Sequence, residues 1–325
     1  MTAAAVERIF SPAALDELIA APTARSDLSV LRGDATIAVD CSSARPADLT
    51  LQTLRNLPIV TIGVGGHHDA IDVMVTDERE LSLLVSAVEA NPQASVTLAQ
   101  LLRMGDTLAP LEALVAESLA YSTLQGGAEF ARWLAARGAR VRRPEPKPPI
   151  DVSRDGDRLR VLFNRPRVHN LYNAAMRDAL VEALVIAAAD PQLRVEIAGA
   201  GRSLCAGGDL AEFGSVSDTT TAHLIRSSAN AAPYLLAIAD RLSVTAHGAC
   251  VGAGIELAAF ACRIDATPDA FFQLPEVSMG LIPGAGGTVS IVQRIGRQRT
   301  AWMALTGARV DAATALEWGL VDSIG

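Results

Sequence analysis

Along the first 140 residues the hydrophobic pattern is mostly helical, with three short β-type runs set into it. Ser11-Pro-Ala-Ala-Leu15 puts a capping serine and a first-turn proline ahead of apolar residues at helical spacing, and two short helices are expected within residues 1–35. Apolar, β-branched runs at 35–40, 58–64 and 70–75 predict strands, with a helix over 47–56 between the first two. From residue 78 the period changes. Leu81, Leu84, Val85 and Val88 recur at helical spacing, and Asn91-Pro92 stops the run. Further helices are predicted over 94–104 and 108–124, with a last short one around Phe130, Trp133 and Leu134. In the 108–124 helix the apolar face reads as Leu111, Leu114, Val115, Leu119 and Leu124.

Arg142-Arg-Pro-Glu-Pro-Lys-Pro-Pro149 cannot continue a helix, and its prolines favour an extended linker. The chain therefore divides into an N-terminal α/β segment (1–140), a Pro-rich linker (141–149) and a second segment (150–325). That segment opens with a hairpin, 150–153 and 158–163, around the turn sequence Arg154-Asp-Gly-Asp157. A helix over 174–189, a strand at 195–198, a mostly helical stretch over 222–238 and a strand at 243–246 follow. The strand–loop–helix alternation predicts an α/β fold of stacked ββα units.

Two of those strands feed glycine-rich loops. The first is Gly199-Ala-Gly-Arg-Ser-Leu-Cys-Ala-Gly-Gly-Asp-Leu210; the second is Gly248-Ala-Cys-Val-Gly-Ala-Gly-Ile-Glu256. Glycine lets a backbone turn sharply and lie close to a ligand. The free N–H groups of a first helical turn favour an oxygen on which negative charge develops. Glu256 is a carboxylate among Gly, Ile, Leu and Ala, and Glu276 is a second one in an apolar setting, after Pro275. Two such acids form a candidate acid/base pair; read by themselves they are equally a helix charge and a loop charge. Asp209 reads as a helix cap, and Cys205 as a small buried hydrophobe.

Five pieces stand in order: Asn164-Arg-Pro166, Ala206-Gly-Gly-Asp-Leu210, Gly252-Ala-Gly-Ile-Glu256, Pro275-Glu276 and Gly280-Leu-Ile-Pro-Gly-Ala-Gly-Gly-Thr288. This set resembles the crotonase (enoyl-CoA hydratase/isomerase) superfamily over residues 151–325. The resemblance implies a crotonase-like ββα superhelix that binds an acyl-CoA thioester and stabilises its enolate. It implies the N–H groups of Gly208 and Ala253 as donors to the thioester oxygen. Glu256 would act as base towards water and Glu276 as acid towards the α-carbon. Ala206, Gly207, Gly254 and Gly284 would shape the substrate walls, with Arg165 and Arg167 as candidates for the CoA phosphates. Having both glutamates points to hydration of a 2-enoyl-CoA. Isomerisation, hydrolysis or carbon–carbon cleavage of another acyl-CoA uses the same oxyanion hole, and a non-catalytic partner subunit is the reading from another class.

Relatives continue past an element like Gly319-Leu-Val-Asp322 with several helices, which this second segment is expected to lack. Residues 72–137 look like those helices, so the N-terminal segment resembles a degenerate crotonase copy and is expected to supply the missing layer. A trimer-based homo-oligomer is implied by the resemblance.

Composition narrows the classes further. Half of the 325 residues are hydrophobic but only 4% are aromatic, predicting a core of small and aliphatic side chains. A net charge of −8 without a basic stripe argues against nucleic acid. The four cysteines have no CxxC spacing and the five histidines are scattered, so neither a metal nor a cofactor beyond the substrate's own coenzyme A is expected. With no signal-peptide pattern and no apolar run near the ~20 residues a bilayer requires, a cytoplasmic protein is expected, without a membrane partner.

Overall fold

The computed structural model describes residues 9–42, 44–139 and 147–325. Its first part runs β1 (Ile9–Phe10), α1 (Pro12–Ala20), α2 (Ala24–Asp27), β2 (Thr36–Asp40), α3 (Asp48–Leu54), β3 (Val60–Val64) and β4 (Val73–Val75). The strands form one parallel sheet in chain order. Strand side chains alternate between faces, and β2 shows what that does here. Ile37 and Val39 join Leu15, Leu51 and Leu54 in a small core under α1 and α3, while Ala38 turns the other way into the main core.

Four helices follow: α4 (Glu78–Ala90), α5 (Pro92–Gly105), α6 (Pro110–Gln125) and α7 (Ala128–Arg137). Asp77 caps α4, its side chain accepting the Glu80 N–H at 2.8 Å. The expected stripe of α6 is only partly the buried one. Leu114 and Leu124 are buried, but Leu111, Val115 and Leu119 are 56%, 48% and 52% exposed. Apolar residues lie on every side of α6, so hydropathy alone does not orient it. The face turned inward carries Glu117, Ser118 and Ser122.

The second segment continues with β5 (Ile150–Asp155), β6 (Arg158–Phe163), α8 (Ala174–Ala189), β7 (Arg194–Gly199), α9 (Thr219–Ser228), α10 (Ala232–Ala237) and β8 (Leu242–Ala246). Then come β9 (Ala249–Val251), α11 (Ala253–Ala258), β10 (Arg263–Ala266), β11 (Phe271–Gln273), α12 (Gly287–Thr306), β12 (Val310–Asp311), α13 (Ala312–Trp318) and β13 (Ser323–Ile324). A six-stranded sheet has the order β13-β10-β8-β7-β6-β5, and a three-stranded one the order β12-β11-β9. Each turn of the chain gives one strand to each sheet and then a helix: β8, β9, α11, then β10, β11, α12. Val244 pairs with Ile264 in the large sheet and Cys250 with Phe272 in the small one, so successive turns stack in register. The helical stretch expected over 222–238 is two helices. Pro233 has no N–H to donate, so it sits in the first turn of a new helix.

Residues 140–146 of the expected linker lie outside the described residues. The helices before it do not form a core of their own. Leu98, Leu102, Leu114 and Phe130 share one apolar cluster with Val161, Ile197, Ile255 and Ile291. A buried ionic knot ties the same parts together. Asp72, 1% exposed, accepts from Arg103 Nε at 2.8 Å and from Arg297 Nη1 at 3.1 Å, besides the Thr61 N–H and hydroxyl. Removing the carboxylate leaves the buried Arg103 without its counter-ion and Arg297 with only the longer pair to Asp106 at 3.5 Å, the costly way to break such a knot. Asp72→Ala is expected to lower unfolding stability by about 3–5 kcal/mol in urea titration. Arg45→Ala, which removes the exposed pair with Asp48, is expected to cost no more than about 1 kcal/mol.

Candidate functional site

Two backbone bonds set the glycine-rich loops side by side. Cys205 N–H donates to Ala249 O at 3.2 Å, and Val251 N–H to Cys205 O at 3.0 Å. Helix α11 then begins hard against that strand, because a Cβ on Gly254 would lie 2.3 Å from Cys205 O. On the neighbouring loop, Tyr172 N–H donates to Gly207 O and Asp209 N–H to Tyr172 O. This bridge skips the Gly208 N–H. Among the described residues neither it nor the Ala253 N–H, at the start of α11, donates to a protein acceptor. Ala253 has no positive φ, so its Cβ brings no strain. Both residues line a cavity of about 400 Å³.

Glu256 and Glu276 stand on the wall of the same cavity, 2% and 8% exposed. Glu256 projects from α11, and its Oε2 accepts the N–H groups of Ala285 at 2.7 Å and Gly287 at 3.0 Å. Glu276 opens a short 3-10 turn, Glu276–Met279, after β11. Its Oε1 occupies the space that a Cβ on Gly252 would take, 2.4 Å away, and Gly252 holds a φ of 48°. Only glycine suits both demands. The other oxygen, Oε2, is buried with no hydrogen-bond partner among the described residues.

A third carboxylate, absent from the sequence reading, completes the group. Glu117 on α6 accepts the N–H of Gly286 at 2.8 Å through Oε1, and the N–H and hydroxyl of Thr288 at 3.0 and 2.6 Å through Oε2. Its signal was faint: one acid on the 113/117/121/124 stripe of an apolar helix. Tyr121, one turn on, packs its ring on Gly284 and lines the cavity with Gln125. Helix α7 backs the other walls. The Glu129–Phe130 backbone lies against Gly280 behind the Glu276 turn, and Arg137 donates to Leu210 O and Phe213 O.

Burial raises all three carboxyls above the ordinary range, Glu117 to about 7 and Glu276 to about 8. Glu256 is raised by burial first and then by the charges of Glu276 and Glu117, against the two N–H bonds that lower it. Three acids this close do not all ionise at neutral pH. Cys205 is no nucleophile here, since burial pushes its thiol up to about 12.

Of the other residues singled out in the sequence, Gly284 lines the cavity. Ala206, Gly207 and Gly254 are not on its wall: Ala206 N–H donates to His169 O, while Gly207 lies against Val251 O and Gly254 against Cys205 O, where the two loops meet. Arg165 does not reach the cavity. It is buried, donates to Leu171 O and pairs with Asp209 at 3.0 Å. Asp209 thus anchors an arginine and a turn at Ala211 rather than capping a helix. Arg167 is exposed and outside the cavity wall. A larger cleft of about 670 Å³, near Arg55, Asp106 and Trp302, contains none of these groups. Among the described residues no helix is long and apolar enough to cross a membrane.

The raised carboxyls fix the sign of a pH effect. The folded protein keeps protons that the unfolded chain releases above the ordinary value of 4.5, so stability falls as pH rises from there to about 8. Each retained proton contributes a slope of at most about 1.4 kcal/mol per pH unit. In Glu276→Gln this decline, followed by urea titration between those pH values, is expected to be shallower by up to one proton's share. An unchanged slope would contradict the placement of Glu276.

Residues 159–325 match the family model for enoyl-CoA hydratase/isomerase. The chain is 34% identical over 174 residues to the 2,3-dehydroadipyl-CoA hydratase of Escherichia coli K12, covering 53% of this chain and 68% of that one. It is 31% identical over 167 residues to the mitochondrial enoyl-CoA hydratase of Pongo abelii, covering 50% and 56%. Among solved structures, an enoyl-CoA hydratase/isomerase homologue from Mycobacterium abscessus superposes with a TM-score of 0.51 at 31% identity, over 54% of this chain and 70% of that one. Pseudomonas aeruginosa AtuE superposes at 0.50 and 30%, over 55% and 70%. All of these likenesses cover about half of this chain, and the sequence match falls on the segment that carries Gly208, Ala253, Glu256 and Glu276: this chain belongs to the enoyl-CoA hydratase/isomerase (crotonase) family.

Proposed function

We propose that the protein adds water across the double bond of a 2-enoyl-CoA thioester. The observation that carries this reading is the pair Glu256 and Glu276 on one cavity wall, one oxygen of Glu276 being buried without a partner. Gly208 and Ala253, whose N–H groups have no protein acceptor among the described residues, line the same space. On this reading they take the thioester oxygen as charge moves onto it. Losing one such donor typically costs about 3–4 kcal/mol of transition-state stabilisation.

The two acids have different surroundings and therefore different tasks. Burial raises Glu256 too, but two backbone N–H groups at the start of α12 act against that rise, and this support suits it as base towards water. Glu276 has no donor on Oε2, which favours its protonated form as the acid that delivers a proton to the α-carbon. In dehydration the roles exchange. Helices α6 and α7 would serve as the cover that relatives draw from helices beyond their Gly-Leu-Val-Asp element, so that the N-terminal segment belongs to the working enzyme.

Hydration of crotonyl-CoA, followed by loss of the enoyl thioester absorbance, tests this. Wild type is expected to turn over, with Glu256→Gln and Glu276→Gln each slower by about two orders of magnitude or more. A wild type that binds acyl-CoA but leaves every enoyl-CoA of a chain-length series unchanged would move the reaction to another acyl-CoA chemistry. Absence of binding as well would favour a partner subunit.

A further inference from the structure

Two buried side-chain polar atoms lack a hydrogen-bond partner among the described residues, and both belong to residues of the one cavity: Glu276 Oε2 and Arg226 Nε. The first is accounted for by the proposed chemistry; the second is not. Arg226 lies on α9, the wall that faces α6. Its Nη2 donates to Ser122 Oγ and, at 3.0 Å, to Gln125 Oε1, both neutral groups. Its guanidinium stacks on the Tyr121 ring, 4.4 Å from the centroid. No carboxylate of the described residues pairs with it. The other arginine of the cavity, Arg177, does have such a partner, Asp178 at 2.7 Å.

We propose that the acyl group bound here bears a carboxylate, and that Arg226 holds it. This rests on the acyl-CoA reading above and narrows its substrate class. A guanidinium presents a planar fork of donors that matches a carboxylate, and a charge-assisted bond is the strong kind. An alkyl chain would leave Nε buried and unsatisfied, and the guanidinium with neutral hydrogen-bond partners only. Partial burial lowers the pKa of Arg226 from its ordinary value, against Tyr121 and Glu117, which act to raise it. Through Tyr121 the arginine stands beside the carboxyl cluster, since the ring is one turn from Glu117 on α6 and packs on Gly284, next to the Ala285 whose N–H bonds Glu256. A group held there belongs to the reacting end of the substrate. Short dicarboxylic enoyl thioesters fit: thioester oxygen on Gly208 and Ala253, double bond between the glutamates, far carboxylate on Arg226.

The test uses calorimetric binding of two unreactive thioesters of equal chain length, adipoyl-CoA and hexanoyl-CoA. The full-length wild type is expected to bind adipoyl-CoA at least about tenfold more tightly. Arg226→Met is expected to lose that preference while keeping its affinity for hexanoyl-CoA, which also shows that the variant is folded; Arg226→Lys should restore part of it. Equal binding of the two by wild type overturns the proposal. So does an equal loss of both in Arg226→Met, which would assign the arginine to a phosphate of coenzyme A. Because no turnover is needed, a preference for adipoyl-CoA in a protein that hydrates neither crotonyl-CoA nor a six-carbon dicarboxylic 2-enoyl-CoA would sink the hydratase reading and leave this one standing.

Discussion

The N-terminus of α12 is the point on which the site depends. Its backbone N–H groups have no intrahelical partners, and they are taken by two carboxylates from opposite parts of the chain. Glu256 of α11 takes Ala285 and Gly287; Glu117 of α6 takes Gly286 and Thr288. The donors alternate between the two acids, so the loop over 284–288 is clamped from both sides. That clamp fixes Glu256 in the cavity and seats α6 on the second segment in one rotation. Tyr121 and Arg226 follow from that seating, since α6 packs along α9 and Ser118 meets His223 at 2.9 Å.

Burying three carboxylates in one place is expensive, and the fold offsets the cost only in part. Hydrogen bonds satisfy Glu117 fully and Glu256 on one oxygen, while Glu276 Oε2 stays without a donor. The pattern is graded, from an acid bonded on both oxygens to one bonded on a single oxygen to one with a bare, buried oxygen, and on the proposed reading the last two are base and acid. Such grading separates the roles of chemically identical side chains. The glycines at 252 and 254 serve the same end: one leaves room for Glu276 Oε1, the other lets α11 start against Cys205.

Much of this was legible in the sequence because short motifs carry local backbone demands. Gly252, with its positive φ, and Gly254, with its close approach, announce the central loop, and Pro275-Glu276 announces the second acid. The parallel strands 36–40 and 60–64 were visible from their apolar, β-branched runs. What stayed hidden depends on long-range packing. Helix α6 has apolar residues on every side, so Leu111, Val115 and Leu119 read as part of its core face with Leu114 and Leu124, and are in fact exposed. The true inward face is marked by Glu117, whose partners are 169 and 171 residues away in sequence. Arg165 looked free to meet a phosphate because nothing local shows that Asp209, 44 residues on, claims it.

On the proposed reading this cavity brings a proton and a hydroxyl to neighbouring carbons of an enoyl thioester. That reading is tested most directly by incubating crotonyl-CoA with the protein in D2O and reading the product by NMR. The expected product is 3-hydroxybutyryl-CoA with a single deuterium on the α-carbon, delivered from one face. Recovery of the enoyl thioester with deuterium on the γ-carbon and no hydroxyl would contradict it, and would make the glutamates an isomerase pair instead.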